Sequence, residues 1–188
     1  MKRSTLVLAL MVLPAFLCCA EEKPLQPKAM KHRVTGLFSP EREKDLREVV
    51  KKLPEVKLMS IDFKYAEATF EYDPDKLLNR PKPEEIPQRF NDLLRPASNH
   101  TFGIEPLFTT PKDKLQKIEI PVAGLDCKAC CLAAYEIIYK IDGVEQATAS
   151  FKDGLITALI NPEKTNRAAL AEALKNRGVT LKEEVKKP

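Results

Sequence analysis

The spacing of apolar and polar positions predicts two successive sets of short strands and helices. Strands are indicated where every second residue is apolar, and amphipathic helices where apolar residues recur every three or four positions. The C-terminal half gives strand 117–122, helix 128–141, strands 144–151 and 155–160, a helix from Thr165 or Asn166 to Arg177, and a last strand at 179–185. The N-terminal half gives strand 31–35, helix 40–53, strands 56–63 and 66–72, helix 83–94, and a last strand at 99–108. Each half therefore has the order β-α-β-β-α-β.

The two halves are also related in sequence. A shift of 88 residues aligns Val34–Lys76 with Val122–Lys164 without a gap, and 11 of the 43 aligned residues are identical. The apolar positions agree as well, so we interpret the chain as a tandem repeat. The order β-α-β-β-α-β is typical of the ferredoxin-like fold, a four-stranded antiparallel sheet with two helices on one face. The predicted class is α+β, with two ferredoxin-like βαββαβ sandwiches in tandem.

Two details of the first half affect its helices. Ser39 is a candidate cap for the first helix, which Pro40 would begin. Pro87 is unfavourable inside a helix, so the second helix is expected to begin after Pro83 or to bend.

Residues 1–20 have the features of a secretory signal peptide. Lys2 and Arg3 precede an apolar run that ends in small residues. We expect an exported protein, periplasmic or extracellular, with no membrane span after the signal is removed. The alternative is a lipoprotein signal with Cys18 or Cys19 lipidated.

The predicted domain organisation follows from these segments. It consists of a signal peptide at 1–20, a flexible leader at 21–30, a first domain at 31–108, a linker at 109–116, a second domain at 117–185 and a tail at 186–188. The short linker predicts two domains that are close together without being rigidly docked.

Composition excludes several classes of function. The net charge of +4 is small for 188 residues, and no basic stripe with interleaved aromatic residues indicates nucleic-acid binding. No histidine accompanies the cysteines, and His32 and His100 lack partner ligands nearby in sequence, so both are expected to be ordinary core or surface residues. Without a Ser-His-Asp set or a phosphate loop, we expect a binding protein and not an enzyme.

The cysteines carry the candidate chemistry. After the signal only Cys127, Cys130 and Cys131 remain, and three thiols within five residues cannot staple a fold. Cys127 and Cys130 stand at the start of a predicted helix, where both sulfurs can reach one ion and the helix N-terminus favours thiolate. Thiolate is a soft ligand that suits Cu(I), Zn(II) and similar ions.

Other interpretations of this loop remain open. Cys127 and Cys130 also have the spacing of a redox dithiol or a local disulfide. Cys131 is either a further ligand or a buried apolar residue, because it lies about 100° further round the helix. Asp126 is either a ligand or, as is more common for aspartate at such a position, the helix cap.

The loop Gly124-Leu125-Asp126-Cys127-Lys128-Ala129-Cys130 resembles the Gly-Met-x-Cys-x-x-Cys loop of heavy-metal-associated (HMA) domains. These include copper chaperones, the periplasmic mercury-binding protein and N-terminal modules of metal-transporting ATPases. The resemblance covers about residues 117–181 and implies that Cys127 and Cys130 bind one soft metal ion, with Cys127 the more exposed. It also implies carriage or sequestration of the ion and its transfer to an acceptor such as a metal-transporting ATPase.

Departures from the family pattern bear on the choice of ion. Leu125 replaces the usual Met beneath the loop, and Val179 stands where Tyr, Phe or Lys is frequent. Asp126 precedes the first cysteine, as in some zinc, cadmium and lead ATPases. Two thiolates alone suit Cu(I) or Hg(II), whereas Zn(II) prefers four ligands, so Cu(I) is the first choice and Zn(II) or Cd(II) the second. A zinc-like site would need Asp126, Cys131 and a partner's ligand.

The first repeat has Ser39 and Arg42 where the second has Cys127 and Cys130. Neither is a soft ligand, and Arg42 places a cation where an ion would sit. The first repeat therefore resembles a degenerate HMA domain that kept the fold and lost the ion. It is either an interaction or spacing module or a relic retained for stability, and a scaffold with no metal role remains an alternative for the whole chain.

Overall fold

The computed structural model describes residues 27–182. The predicted signal peptide, residues 21–26 of the leader and everything after residue 182 lie outside the described residues. The first domain consists of β1 (Lys28–Thr35), α1 (Arg42–Val50), β2 (Lys57–Asp62), β3 (Glu67–Tyr72), the short α2 (Pro74–Leu77), α3 (Ile86–Ala97) and β4 (Gly103–Glu105). The second consists of β5 (Gln116–Pro121), α4 (Lys128–Tyr139), β6 (Val144–Ser150), β7 (Leu155–Ile160) and α5 (Arg167–Asn176).

Both sheets have the strand order of a ferredoxin-like sandwich. The first is ordered β2-β3-β1-β4 and is antiparallel throughout. The second is ordered β5-β7-β6, which is the same arrangement without its fourth strand. An isolated bridge between Val122 and Leu181 stands in the place of that strand. The α+β class with two tandem domains is confirmed, whereas the predicted strand at 179–185 is reduced to this bridge within the described residues.

The internal repeat extends to the backbone. Val34 and Val122 are equivalent, and their N–H groups donate to the carbonyls of Ala66 and Gly154 at 2.7 and 2.8 Å. Ala66 and Gly154 are themselves 88 residues apart, and both have positive φ, 50° and 58°. The register deduced from the sequence is therefore confirmed in the structure.

Several element boundaries in the first domain differ from the prediction. β1 begins at Lys28, within the predicted flexible leader, because its pairing with β3 continues to Lys28 opposite Tyr72. α1 begins at Arg42 and not at residue 40, since Ser39 and Pro40 form a turn closed by the Arg42 N–H on the Ser39 carbonyl at 3.0 Å. The side chain of Ser39 does not cap the helix, whose N-cap is Glu41.

The end of the first domain differs as well. α3 begins at Ile86, after a 3₁₀ turn at Pro83–Glu85, and Pro87 falls in its first turn, where a missing N–H is tolerated. The expectation of a start after Pro83 is confirmed. β4 is shorter than predicted because Asn99 and His100, both with positive φ, belong to the turn that follows α3.

Each domain has its own hydrophobic core, and the two cores differ in origin. The first core is built only from residues of the first domain, between Val34 and Ile104. The second core, formed by α4, α5 and β5 to β7, also contains Phe38 of the first domain, which is 5% exposed. The core of the second domain thus includes a side chain of the first domain.

The two domains are docked against each other, contrary to the expectation from the linker. Arg33 of β1 donates to the Glu145 carboxylate and to the Tyr139 hydroxyl, both at 3.0 Å. Within the linker, Lys112 binds the buried carboxylate of Glu67 at 2.8 Å. None of the helices within residues 27–182 is long and apolar enough to cross a bilayer.

Candidate metal centre

The cysteine loop lies between β5 and α4 and is fixed by backbone hydrogen bonds on two sides. Besides the bond from Val122 to the β6–β7 turn, the Ala123 N–H donates to the Thr180 carbonyl at 2.8 Å. Gly124 has a φ of +79°, a conformation that other residues avoid. The turn sends Leu125 into the core, where it is 5% exposed. The next residues, Asp126 and Cys127, are exposed to solvent.

α4 begins directly after Cys127, and the cysteine itself caps the helix. Cys127 has extended backbone angles, and its Sγ accepts a hydrogen bond from the Cys130 N–H at 3.2 Å. The interpretation of Asp126 as the cap is therefore wrong, because its side chain is exposed and the cap position belongs to its neighbour. Cys127 and Cys130 lie together at the helix N-terminus.

The three thiols differ in exposure. Cys127 is exposed, Cys130 is partly exposed and Cys131 is 2% exposed. Cys131 packs in the second core with Leu125, so the structure places it with the apolar residues and not with the pair. Across residues 27–182, no group of three or more histidine, cysteine, aspartate or glutamate side chains is arranged to hold a metal ion.

The pKa values of the pair are separated by their mutual hydrogen bonds. Hydrogen bonds from the Cys130 side chain and its N–H lower the pKa of Cys127 below that of an ordinary thiol. The hydrogen bond to Cys127 raises the pKa of Cys130. Burial raises the pKa of Cys131. Cys127 is therefore the first of the three thiols to lose its proton as the pH rises.

The other candidate residues lie elsewhere. His32 is buried in β1, with Nε2 at 2.9 Å from the Tyr72 hydroxyl. His100 is exposed in the turn after α3. Both match the expectation of ordinary residues. Arg42, at the place equivalent to Cys130, pairs with Asp45 at 2.5 Å and lies 4.6 Å from the centre of the Phe102 ring.

Aromatic residues lie around the loop, and the hydrophobic periodicity of the sequence does not predict them. Phe38 and Tyr135 pack together with their ring centroids 5.7 Å apart. Phe151, at the end of β6, is 60% exposed and borders a cleft of about 380 Å³ between the two domains. The alignment of Phe63 with Phe151 was the one sequence signal for any of these aromatic residues. Phe38 occupies a loop without periodicity and aligns with Asp126, so no pattern indicated its burial.

The loop sequence, its place between the first strand and first helix, and the strand order agree with the family suggested by the sequence. The chain resembles heavy-metal-associated domains in tandem. Comparison with protein-family models returned no match. Comparison with curated proteins returned none either.

Solved structures similar to the chain come from metal-handling proteins. The oxidised MerP of Ralstonia metallidurans CH34 is 24% identical and covers 36% of this chain and 94% of its own, with a TM-score of 0.35. The N-terminal soluble domains of Bacillus subtilis CopA are 20% identical and cover 86% of this chain and 97% of their own, also at 0.35. The Cu(I)-loaded N-terminal domain of a potential copper-translocating P-type ATPase from B. subtilis is 31% identical, covers 36% and 85%, and scores 0.34. These TM-scores are low, so the fold assignment rests on the strand order and the internal repeat.

Proposed function

We propose that this is an exported heavy-metal-binding protein that holds one soft metal ion, Cu(I), between Cys127 and Cys130 for carriage or sequestration. The observation that carries the proposal is the pair itself: an exposed cysteine capping a helix, with a second cysteine one turn on and within hydrogen-bond distance. The names of similar solved structures, among them a copper-translocating ATPase domain, support heavy-metal binding in general.

Binding follows from the acid–base state of the two sulfurs. Cys127, with its lowered pKa, is the first to offer a thiolate to the incoming ion. Cys130 then loses its proton to solvent as the second sulfur–metal bond forms, because only thiolate is a ligand. Binding thus releases protons and weakens as the pH falls.

Release to an acceptor uses the exposure of Cys127. A thiolate of the acceptor can approach the ion from the Cys127 side, form a transient third bond and displace the two sulfurs in turn. The acceptor that this chemistry fits is another exposed dithiol protein, such as a metal-transporting ATPase module. The charged and exposed residues Asp126 and Lys128 flank Cys127 in the chain.

The test is an anaerobic titration of the reduced mature protein with Cu(I) and Zn(II) against competing chelators. We expect one Cu(I) per chain, bound far more tightly than Zn(II), because two thiolates leave Zn(II) short of its four ligands. Cys127→Ser/Cys130→Ser should bind no tight ion.

Cys131→Ser is the matched control, since it removes a thiol of the same segment that lies in the core. It should keep the Cu(I) stoichiometry and most of the affinity. Equal Cu(I) binding by wild type and Cys127→Ser/Cys130→Ser would contradict the proposal.

A thiol-redox protein is the second candidate, and the opposite pKa shifts of Cys127 and Cys130 favour it. A low-pKa exposed sulfur beside a protonated one is the arrangement in which the first attacks a disulfide and the second resolves the mixed disulfide. Reduction of insulin disulfides by the metal-free protein, lost in Cys127→Ser, would support this candidate.

Export is proposed from the N-terminal residues alone. Expression in a bacterial host and mass determination of the mature chain test it. The mass of a chain whose first residue follows Ala20 supports cleavage by the secretory route. The additional mass of a diacylglycerol group on Cys18 or Cys19 supports the lipoprotein route.

A further inference from the structure

Cys131 follows Cys130 directly in sequence, and its burial is what separates it from the candidate ion. It is 2% exposed and lies in the core of the second domain, in which α4 packs against β6. Its position therefore depends on how α4 and the end of β6 are held together. A third thiolate at the ion would change a two-coordinate site into a three-coordinate one.

Phe38 of the first domain contacts both α4 and β6. Its ring packs on Tyr135, four residues after Cys131 and on the same face of α4. Its carbonyl accepts a hydrogen bond from the Ala149 N–H at 2.8 Å, two residues before Phe151. The neighbouring Gly36 N–H donates to the Tyr135 hydroxyl at 2.9 Å, which adds a second bond to α4.

The first domain does not need Phe38 for its own core. Phe38 belongs to the buried cluster of the second domain and is absent from that of the first. Because β6 is an edge strand of the second sheet, the bond to Ala149 also satisfies a backbone donor that the sheet itself leaves unpaired.

We infer that the first domain limits the metal site to two thiolates, because Phe38 closes the core over Cys131 and keeps it from the ion. The inference rests on the proposed function insofar as it concerns the same ion. It assigns the first domain a role in selecting the coordination number, and through it the kind of ion that the site favours.

The first test uses metal-free protein and resolves the three thiols by mass spectrometry after timed alkylation with iodoacetamide under native conditions. Wild type should show fast alkylation of Cys127 and slow alkylation of Cys131. Phe38→Ala should raise the alkylation rate of Cys131 about tenfold or more, because an empty phenyl site favours local opening of the core. Phe38→Leu, which leaves a smaller gap, should raise it less.

Phe63→Ala is the matched control. Phe63 is another aromatic residue of the first domain at the interface, and its carbonyl accepts a hydrogen bond from Gln146, nearer the start of β6. We expect Cys131 to stay protected in this variant. Protection of Cys131 in Phe38→Ala equal to that in wild type would overturn the inference, and if Phe38→Ala does not fold, the same comparison with Phe38→Leu decides.

The second test counts the sulfur ligands of the Cu(I) complex by X-ray absorption. We expect two sulfurs in wild type, three in Phe38→Ala and again two in Phe38→Ala/Cys131→Ser. Two sulfurs in Phe38→Ala with Cys131 exposed would contradict the inference. A protein that binds no Cu(I) would refute the proposed function, while the alkylation of the metal-free protein would still test the role of Phe38.

Discussion

The loops at residues 36–42 and 124–130 occupy equivalent positions in the two repeats but make different contacts. Both begin with a glycine at positive φ followed by a buried leucine, so the chain enters the two loops in the same way. The first loop then places Phe38 into the other domain's core, and its Arg42 folds onto aromatic rings. The second presents Asp126 and Cys127 to solvent.

This difference depends on few side chains. Phe38 stands where the second loop has Asp126, and Ser39 and Arg42 stand where it has the two cysteines. The burial of Phe38 in the second core favours an interaction role for the first domain, and the choice between this role and a relic stays a prediction. Five predictions test the contrast, beginning with the largest expected effect.

Phe38→Ala should destabilise the protein by about 3–5 kcal/mol, the range for removing a buried phenyl group from a packed core. Asp126→Ala, at the equivalent exposed position, should change stability by less than about 0.5 kcal/mol. Urea unfolding followed by far-UV circular dichroism measures both. Similar effects of the two substitutions would mean that the loops do not differ in burial.

Acid should destabilise the first domain through His32, whose equivalent in the second domain is the apolar Ile120. Burial lowers the pKa of His32 to about 4, so the folded state favours the neutral ring. The neutral His32 ring therefore makes its full contribution to the free energy of unfolding above pH 6.5. This contribution is lost as the pH falls from 6.5 towards 4, by about 3 kcal/mol at most.

His32→Leu is the comparison that isolates this effect, because carboxylate titrations remain in both proteins. The difference in unfolding free energy between wild type and variant should shift in the variant's favour between pH 7 and pH 4. A difference that stays constant over that range would rule out His32 as the cause.

Gly36→Ala should cost about 2 kcal/mol more than Gly124→Ala. Both substitutions force a side chain into positive φ, but a Cβ at Gly36 would lie 2.1 Å from the Thr101 carbonyl oxygen, whereas nothing lies within 4 Å of one at Gly124. Thermal unfolding of the two variants measures the difference. Equal shifts in Tm would show that the close approach at Gly36 is not rigid.

Tyr135→Phe should cost about 1–2 kcal/mol, because it leaves the buried Gly36 N–H without its acceptor. Tyr65→Phe, which removes a hydroxyl from a 3₁₀ turn at Phe63–Tyr65, is the control and should have little effect. Chemical denaturation of both variants provides the comparison, and a Tyr135→Phe variant as stable as wild type would falsify a structural role for this hydrogen bond.

Ser39→Cys/Arg42→Cys should leave the metal stoichiometry at one ion per chain. α4 begins right after Cys127, but α1 begins two residues later in the equivalent frame, so a thiol at position 39 would not lie over the helix N-terminus. Cu(I) titration of this variant beside wild type measures the stoichiometry. A second tight ion would show that ligand identity alone separates the two loops.

Much of the fold followed from the sequence because periodic patterns report which side of an element is buried. The alternation in β7 and the helical spacing in α4 gave the element types, and the 88-residue register gave the tandem arrangement. Boundaries were less accurate where turns compete with helices, as at Ser39 and Pro40. Up to residue 182, where the described part of the chain ends, the predicted fourth strand of the second sheet is reduced to one bridge, since an alternating run of Val179 and Leu181 does not reveal how many ladder bonds form.

The site was predicted in part. The spacing of Cys127 and Cys130 indicates a shared helical turn, which the structure contains, and their role as metal ligands stays a prediction. Neither the cap made by Cys127 nor the burial of Cys131 follows from spacing, because both depend on the angle at which α4 enters the core. Phe38 could not be found from periodicity, since its burial is provided by the other domain.

The burial of Phe38 in the second core also predicts the order in which the two domains fold. Among the described residues, the first core contains side chains of the first domain alone, so the N-terminal domain can fold as soon as it has been synthesised. The second core lacks the Phe38 side chain until the first domain has formed. We therefore expect the first domain to fold first. The domain that carries the cysteines then completes its own core by packing against it.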